Sequence, residues 1–178
     1  MNQSLTNKSR SFSVLFVCLG NICRSPTAEG VFRHLLALEG ATLDVDVDSA
    51  GTGDYHIGEP PDVRSQSAAM QRGIDLSGLR ARRVSVCDFD RFGLILAMDR
   101  SNVRALQALK PKASRAEVRL LLEYAGSLVD LEVPDPYFGG QDGFERVLDL
   151  VTLASRGLIS ALQQRRAPIG HAEYPAEK

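Results

Sequence analysis

Residues 14–30 read VLFVCLGNICRSPTAEG, and the fold follows from how that stretch divides. Val14 to Val17 is a short, wholly apolar run, the pattern of a strand buried on both faces. Beyond a short loop, Ser25-Pro26 opens a helix, because serine is a good N-cap and proline a favoured first helical residue. Ala28, Val31, Phe32, Leu35 and Leu36 then share one helical stripe, with Gly40 as the stop. A buried strand, a tight loop and a helix in that order begin a parallel βαβ unit.

The rest of the chain continues the alternation. Leu43 to Ser49 (LDVDVDS) alternates apolar and acidic residues, as an edge strand does. The following AGTGDYHIGEPPD is turn chemistry, and Pro61 to Gly73 reads as a helix ended by Gly73. Leu94 to Met98 (LILAM) is another buried strand, and Ser101 caps a helix that stops before Pro111. Val118 to Leu122 (VRLLL) makes a fourth strand, and a long loop then carries PDPYFGG. Phe144, Val147, Leu148, Val151, Leu158, Ile159 and Leu162 form the apolar stripe of a long terminal helix. The expectation is an α/β fold: a single three-layer domain, with a four-stranded parallel sheet and helices on both faces. It spans residues 13–165, after a loose arm (1–12) and before a frayed tail (166–178). Sites in such sheets form at the carboxyl ends of strands. Cys18, Ser49, Asp99 and Asp135 all fall at or just beyond such ends, so one crevice is expected to collect them.

Bulk properties narrow the function. The chain has 178 residues, 44% apolar and 24% charged, with a formal net charge of −1. That is ordinary globular usage, and it lacks the basic excess of a dedicated nucleic-acid binder. No apolar run reaches membrane-spanning length, and the polar first residues, MNQSLTNKSRSFS, lack the apolar segment of a signal peptide. Three cysteines are too few, and odd in number, for a disulfide framework, which points to a reducing, cytoplasmic setting.

Cys18 and Cys23 admit three readings: half of a zinc site, a scaffold disulfide, or a thiolate nucleophile in an anion-holding loop. Structural zinc takes four ligands, usually in close pairs; Cys87 stands alone, and His34, His56 and His171 are scattered singly. The scaffold disulfide fails on count and compartment, although a reversible Cys18–Cys23 bond remains open. The anion loop accounts for more residues. A strand-to-helix loop turns successive backbone N–H groups, here those of Leu19, Gly20, Asn21, Ile22 and Cys23, toward one point, and the helix dipole adds positive potential. Gly20 and Asn21 suit the left-handed conformations a nest requires. The planar fork of Arg24 matches two phosphate oxygens. A cysteine facing such a field is favoured as thiolate, the reactive form.

The stretch Cys18-Leu-Gly-Asn-Ile-Cys-Arg-Ser-Pro26, followed by Ala28-Glu29, resembles the low-molecular-weight protein tyrosine phosphatases. The likeness continues through Asp48-Ser-Ala-Gly-Thr52, Ala97-Met-Asp-Arg-Ser-Asn102 and Asp135-Pro-Tyr137, so it covers nearly the whole domain in order. The resemblance implies a four-stranded parallel sheet flanked by helices. It also implies that Cys18 is the nucleophile, that Arg24 binds phosphoryl oxygens and that Asp135 is the proton donor. Asn21, Ser49 and Asp99 would support the loop, and Ser25 would stabilise the thiolate as leaving group. The implied substrate is a phosphotyrosine-containing protein, with inorganic phosphate or another oxyanion held in the loop. No metal or cofactor, nucleic acid or membrane is implied, and a monomer is expected.

The chemistry agrees with that family. Phosphate monoesters hydrolyse extremely slowly unaided, so a strong nucleophile and charge stabilisation are both needed. Asp135 would protonate the departing phenolate and then deprotonate the attacking water, its placement stiffened by Pro134 and Pro136. Tyr55 and Tyr137 are expected to wall an aromatic slot, with Phe138 extending the rim. Related scaffolds offer rivals. Arsenate reductases need downstream resolving cysteines, and only Cys87 is present. Protein-arginine phosphatases carry Thr where this chain has Ile22. A non-catalytic phosphotyrosine-binding module would need neither Cys18 nor Asp135. One departure from the family concerns Leu79, which stands where many members carry a histidine. Cys23 is expected either to pack the loop or to guard Cys18 by forming a disulfide under peroxide.

Overall fold

In the computed structural model, residues 12–39, 43–126, 130–138 and 140–166 are described. Four strands form one all-parallel sheet: β1 (Phe12–Cys18), β2 (Val45–Gly51), β3 (Leu94–Ala97) and β4 (Glu117–Leu120). Their spatial order is β2-β1-β3-β4. β1 pairs with β2 from Phe12↔Val45 to Cys18↔Gly51, and with β3 from Val14↔Leu94 to Val17↔Ala97. The chain therefore leaves β1 toward one side and later returns to its other side. That reversal opens a crevice at the carboxyl end of β1, where Cys18 lies.

Alternation along β1 divides the core. Val14, Phe16 and Cys18 face a cluster covered by α1 (Arg24–Leu38), α2 (Val63–Gln71) and α5 (Gln141–Arg166). Leu15 and Val17 face a second cluster under α3 (Asp88–Arg91) and α4 (Arg100–Leu109). Both faces of β1 are thus dry, as its unbroken apolar run requires. Of the side chains predicted for the terminal helix stripe, Phe144, Val147, Leu148, Val151, Leu158, Ile159 and Leu162 are all buried.

Helix starts differ from expectation. α1 begins at Arg24, with Cys23 in the N-cap position and no side-chain cap. Ser25 and Pro26 therefore lie inside the first turn, and the serine hydroxyl is released for the loop. α2 begins at Val63, not Pro61, because Asp62 caps it by accepting from Arg64 N–H. Gly73 does end that segment, at φ +75°, with Ile74 N–H on Ala69 O and Gly73 N–H on Met70 O, a Schellman closure. α4 is capped by Asp99 and not by Ser101, in a reciprocal pair with Asn102. β4 ends at Leu120, because Leu121–Tyr124 tightens into a 3₁₀ turn. The four-residue α3 has too little periodicity to be read from sequence. Phe12 belongs to β1 and not to the arm. Gly40, the remainder of the arm, and the tail from residue 167 lie outside the described residues.

Candidate active site

The loop 18–24 bends around the sulfur of Cys18. Asn21 N–H points at Cys18 Sγ (3.2 Å), and Ser25 Oγ lies 3.0 Å from the same sulfur. Asn21 holds the bend at φ +55°, the one non-glycine residue with positive φ among those described. Its side-chain amide donates to Ser25 Oγ (2.9 Å) and Ser49 Oγ (3.0 Å), while its Oδ1 accepts from Arg82 N–H (2.9 Å). Every polar atom of this buried amide is therefore engaged across three segments. The Ser25 proton has two acceptors in reach, Cys18 Sγ and Ala50 O (3.3 Å).

Gly20 does not adopt the left-handed conformation expected of it. A Cβ there would come within 3.1 Å of His56 Cδ2, so a side chain at this position would crowd the His56 ring, which would have to give by a few tenths of an ångström. His56 was missed from sequence because a single histidine in a turn carries no spacing signal. It lines the cleft with Nδ1 2.7 Å from Glu59.

Arg24 is buried and tied to three groups. Nη1 donates to Asp99 (2.7 Å) and Val133 O (3.2 Å), and Nη2 to Asp135 (3.3 Å). Nε–H and one Nη2 proton have no partner among the described residues, which leaves donors that a planar guanidinium can offer to two oxygens of one anion. Burial alone would ease proton loss from Arg24, but Cys18, Asp99 and Asp135 outweigh it and hold the guanidinium cationic. Cys23 behaves oppositely. Burial first, then the Asp62 carboxylate, pushes its thiol up to about 12, so it stays protonated near neutral pH.

Asp135 sits half-exposed, its Oδ1 accepting from Tyr137 N–H at 3.1 Å. Cys18, Ile22, Cys23, Asp135, Tyr55 and Tyr137 border one cleft of about 200 Å³, with Phe138 at its rim. Of the four residues expected in one crevice, Cys18 and Asp135 line the cleft, while Asp99 lines the neighbouring depression and Ser49 lies beneath the loop. The grouping is made by two hydrogen-bonded sets, Cys18–Ser25–Asn21–Ser49 and Asp99–Arg24–Asp135, that meet at the adjacent residues Arg24 and Ser25. A larger depression of about 740 Å³ shares Leu19, Arg24 and Asp135 with the cleft but lacks Cys18. Its lining carries four arginines (Arg24, Arg100, Arg104, Arg146) and four carboxylates (Asp99, Asp130, Glu132, Asp135), so its formal charge balances. Cys87 is exposed and outside both.

The sequence profile described as low molecular weight phosphotyrosine protein phosphatase matches residues 13–167. The chain belongs to that family. It is 44% identical over 158 residues to a low molecular weight protein-tyrosine-phosphatase of Streptomyces coelicolor, covering 87% of this chain and 96% of the relative. It is 46% identical over 149 residues to the human low molecular weight phosphotyrosine protein phosphatase, covering 83% and 93%. The crystal structure of YfkJ from Bacillus subtilis superposes with a TM-score of 0.83 at 38% identity, over 90% of this chain and all of that one. The protein is a protein-tyrosine phosphatase on the α/β fold of that family, and phosphotyrosine and oxyanions are the ligands the family implies. No described helix is long and apolar enough to cross a membrane.

Proposed function

We propose that Cys18 attacks the phosphorus of a protein phosphotyrosine to form a phosphocysteine, and that Asp135 handles both protons. The observation that carries this reading is the convergence on Cys18 Sγ of Asn21 N–H and Ser25 Oγ, with Arg24 joining the loop to Asp135. In the first step the thiolate forms the S–P bond while the P–O bond to the phenol breaks. The leaving oxygen takes the proton of the Asp135 carboxyl. In the second, Asp135 removes a proton from water, whose oxygen displaces the cysteine sulfur and releases phosphate. Backbone N–H groups of the loop and the free edge of Arg24 hold the equatorial oxygens as charge shifts. Ser25 donates to the departing thiolate, and Asn21, Ser49 and Asp99 keep the loop and Arg24 in place. Tyr55 and Tyr137 flank the phenyl ring.

Ile22 favours this substrate over phosphoarginine, since an apolar wall offers no hydroxyl to the reaction centre. A monomer is the assembly proposed, and three free thiols suit the reducing cytoplasm. Cys23 is assigned a protective role, closing a disulfide onto an oxidised Cys18. The decisive experiment uses p-nitrophenyl phosphate and phosphotyrosine in reducing buffer without added metal. Cys18→Ser abolishes turnover while inorganic phosphate still binds. Asp135→Asn slows esters with poor leaving groups most, by roughly 10²-fold or more. Turnover by Cys18→Ser, or an equal loss on every ester for Asp135→Asn, overturns the respective role.

A further inference from the structure

The Asp135 carboxyl has one direct partner in the loop, Arg24 Nη2 at 3.3 Å, but the segment that carries it has few ties of its own. Pro134 and Pro136 have no N–H to donate, and residues 134–138 make no backbone–backbone hydrogen bond among the described residues. Before Asp135 the chain is fixed at Val133, whose N–H donates to Met98 O (2.8 Å) and whose carbonyl accepts from Arg24 (3.2 Å). After it, the tie is Arg64. Its Nη1 donates to Tyr137 O (3.1 Å), and its guanidinium lies over the rings of Tyr137 (5.4 Å) and Phe144 (4.7 Å). The other edge of the same group grips Asp62 through Nε (3.0 Å) and Nη2 (2.8 Å). Asp62 N–H in turn donates to Ile22 O (2.8 Å), inside the phosphate-holding loop. A line of contacts therefore runs from Ile22 through Asp62 and Arg64 to Tyr137. It ends where Tyr137 N–H meets Asp135 Oδ1.

We propose that Arg64 is a positioning residue for the proton transfer: it sets the placement of the Asp135 carboxyl relative to the loop that holds the phosphate. It touches neither the sulfur nor the leaving oxygen. The inference rests on Asp135 being the acid. Arginine is needed because one planar fork serves Asp62 and Tyr137 O at once while stacking on two rings, which a lysine cannot do. A partly exposed ion pair contributes little to stability. The loss of Arg64 should therefore reach proton transfer before it reaches folding.

The test compares kcat/KM for phenyl phosphate, a poor leaving group, with 2,4-dinitrophenyl phosphate, which leaves without a proton. Arg64→Ala should lower the first about 10- to 100-fold, the scale of a misplacement of about 1 Å. The second should change by no more than roughly twofold, as should inhibition by inorganic phosphate, because neither needs the acid. In an Asp135→Asn background the same substitution should cost nothing more on phenyl phosphate. An equal fall on both esters, no fall on either, or additive losses with Asp135→Asn overturns the proposal. Arg64→Lys, which keeps the charge and the stem, should show the same selectivity in weaker form; it carries the test if Arg64→Ala does not fold. If Asp135→Asn itself is blind to the leaving group, the acid assignment has failed, a result distinct from failure of Arg64 alone.

Discussion

Cys18 and Cys23 lie in one loop, yet their surroundings assign them opposite chemistry. Two hydrogen-bonding groups point at the sulfur of Cys18, whereas burial and the Asp62 carboxylate push the Cys23 thiol up to about 12. In the protective role proposed for Cys23, peroxide would convert the Cys18 sulfur to a sulfenic acid, and the Cys23 sulfur would close a disulfide by displacing hydroxide from it. With so high a pKa the closure is slow at neutral pH and faster in alkali. Wild-type enzyme treated with peroxide should regain activity in dithiothreitol. Cys23→Ser should recover less, since an unguarded sulfenic acid proceeds to the sulfinic state. Equal recovery of the two, followed on p-nitrophenyl phosphate, removes the protective role. The sequence made Cys18 and Arg24 legible because their types and spacing state the chemistry. It assigned the left-handed bend to Gly20 as well as Asn21, and only Asn21 adopts it. What would crowd a side chain at Gly20 is the His56 ring, a contact between segments that no local pattern records.

Elements were more legible than their ends. Each predicted strand and helix in the described residues exists, because an apolar period survives small errors of boundary. Ser25 and Ser101 were read as caps, and the capping positions are Cys23 and Asp99. Serine suits both a cap and a buried hydroxyl, and only the fold decides which. The packing of α5 exposes a similar conflict. Gly157 lies within this helix, where alanine would normally be better by about 1 kcal/mol. A Cβ there, however, would sit 1.8 Å from the backbone oxygen of Tyr124. Backbone cannot rotate aside, so Gly157→Ala must push α5 off the 3₁₀ turn after β4. The expected cost is about 2–3 kcal/mol in urea unfolding. Gly30→Ala meets Leu76 Cδ2, the end of a flexible side chain, and should cost less. A Gly157→Ala variant as stable as wild type would show that the close approach of the two elements is not needed.

At the scale of the whole molecule, the parallel sheet gathers loops that are distant in sequence, and ion pairs fix the layer beneath them. Arg82 joins Asp48, in the middle of β2, to Asp88 at the start of α3, and its own N–H holds the Asn21 amide. Asp88 also accepts from Ser85 N–H at 2.7 Å. Burial pushes the Asp88 carboxyl up, but Arg82 and Ser85 together outweigh it, and the net pKa lies below the ordinary 3.8. Asp62 is lowered too, chiefly by Arg64. A carboxyl whose folded pKa is depressed stabilises fully above its unfolded pKa, and that contribution disappears as the pH falls through the folded value. Glu29 acts in the opposite sense: burial raises its pKa, so stability declines as pH rises through that value. Asp88→Asn should therefore cost about 2–3 kcal/mol near neutral pH, where it removes a charge-assisted contact with Arg82. The gap between wild type and variant should close as the pH falls through the lowered pKa of Asp88, where the wild-type carboxyl itself loses its charge. Urea unfolding of the two proteins across that range measures the gap directly. A gap that stays constant into acid would mean that Asp88 stabilises by shape and neutral hydrogen bonding, and that charge does not hold this layer beneath the catalytic loop.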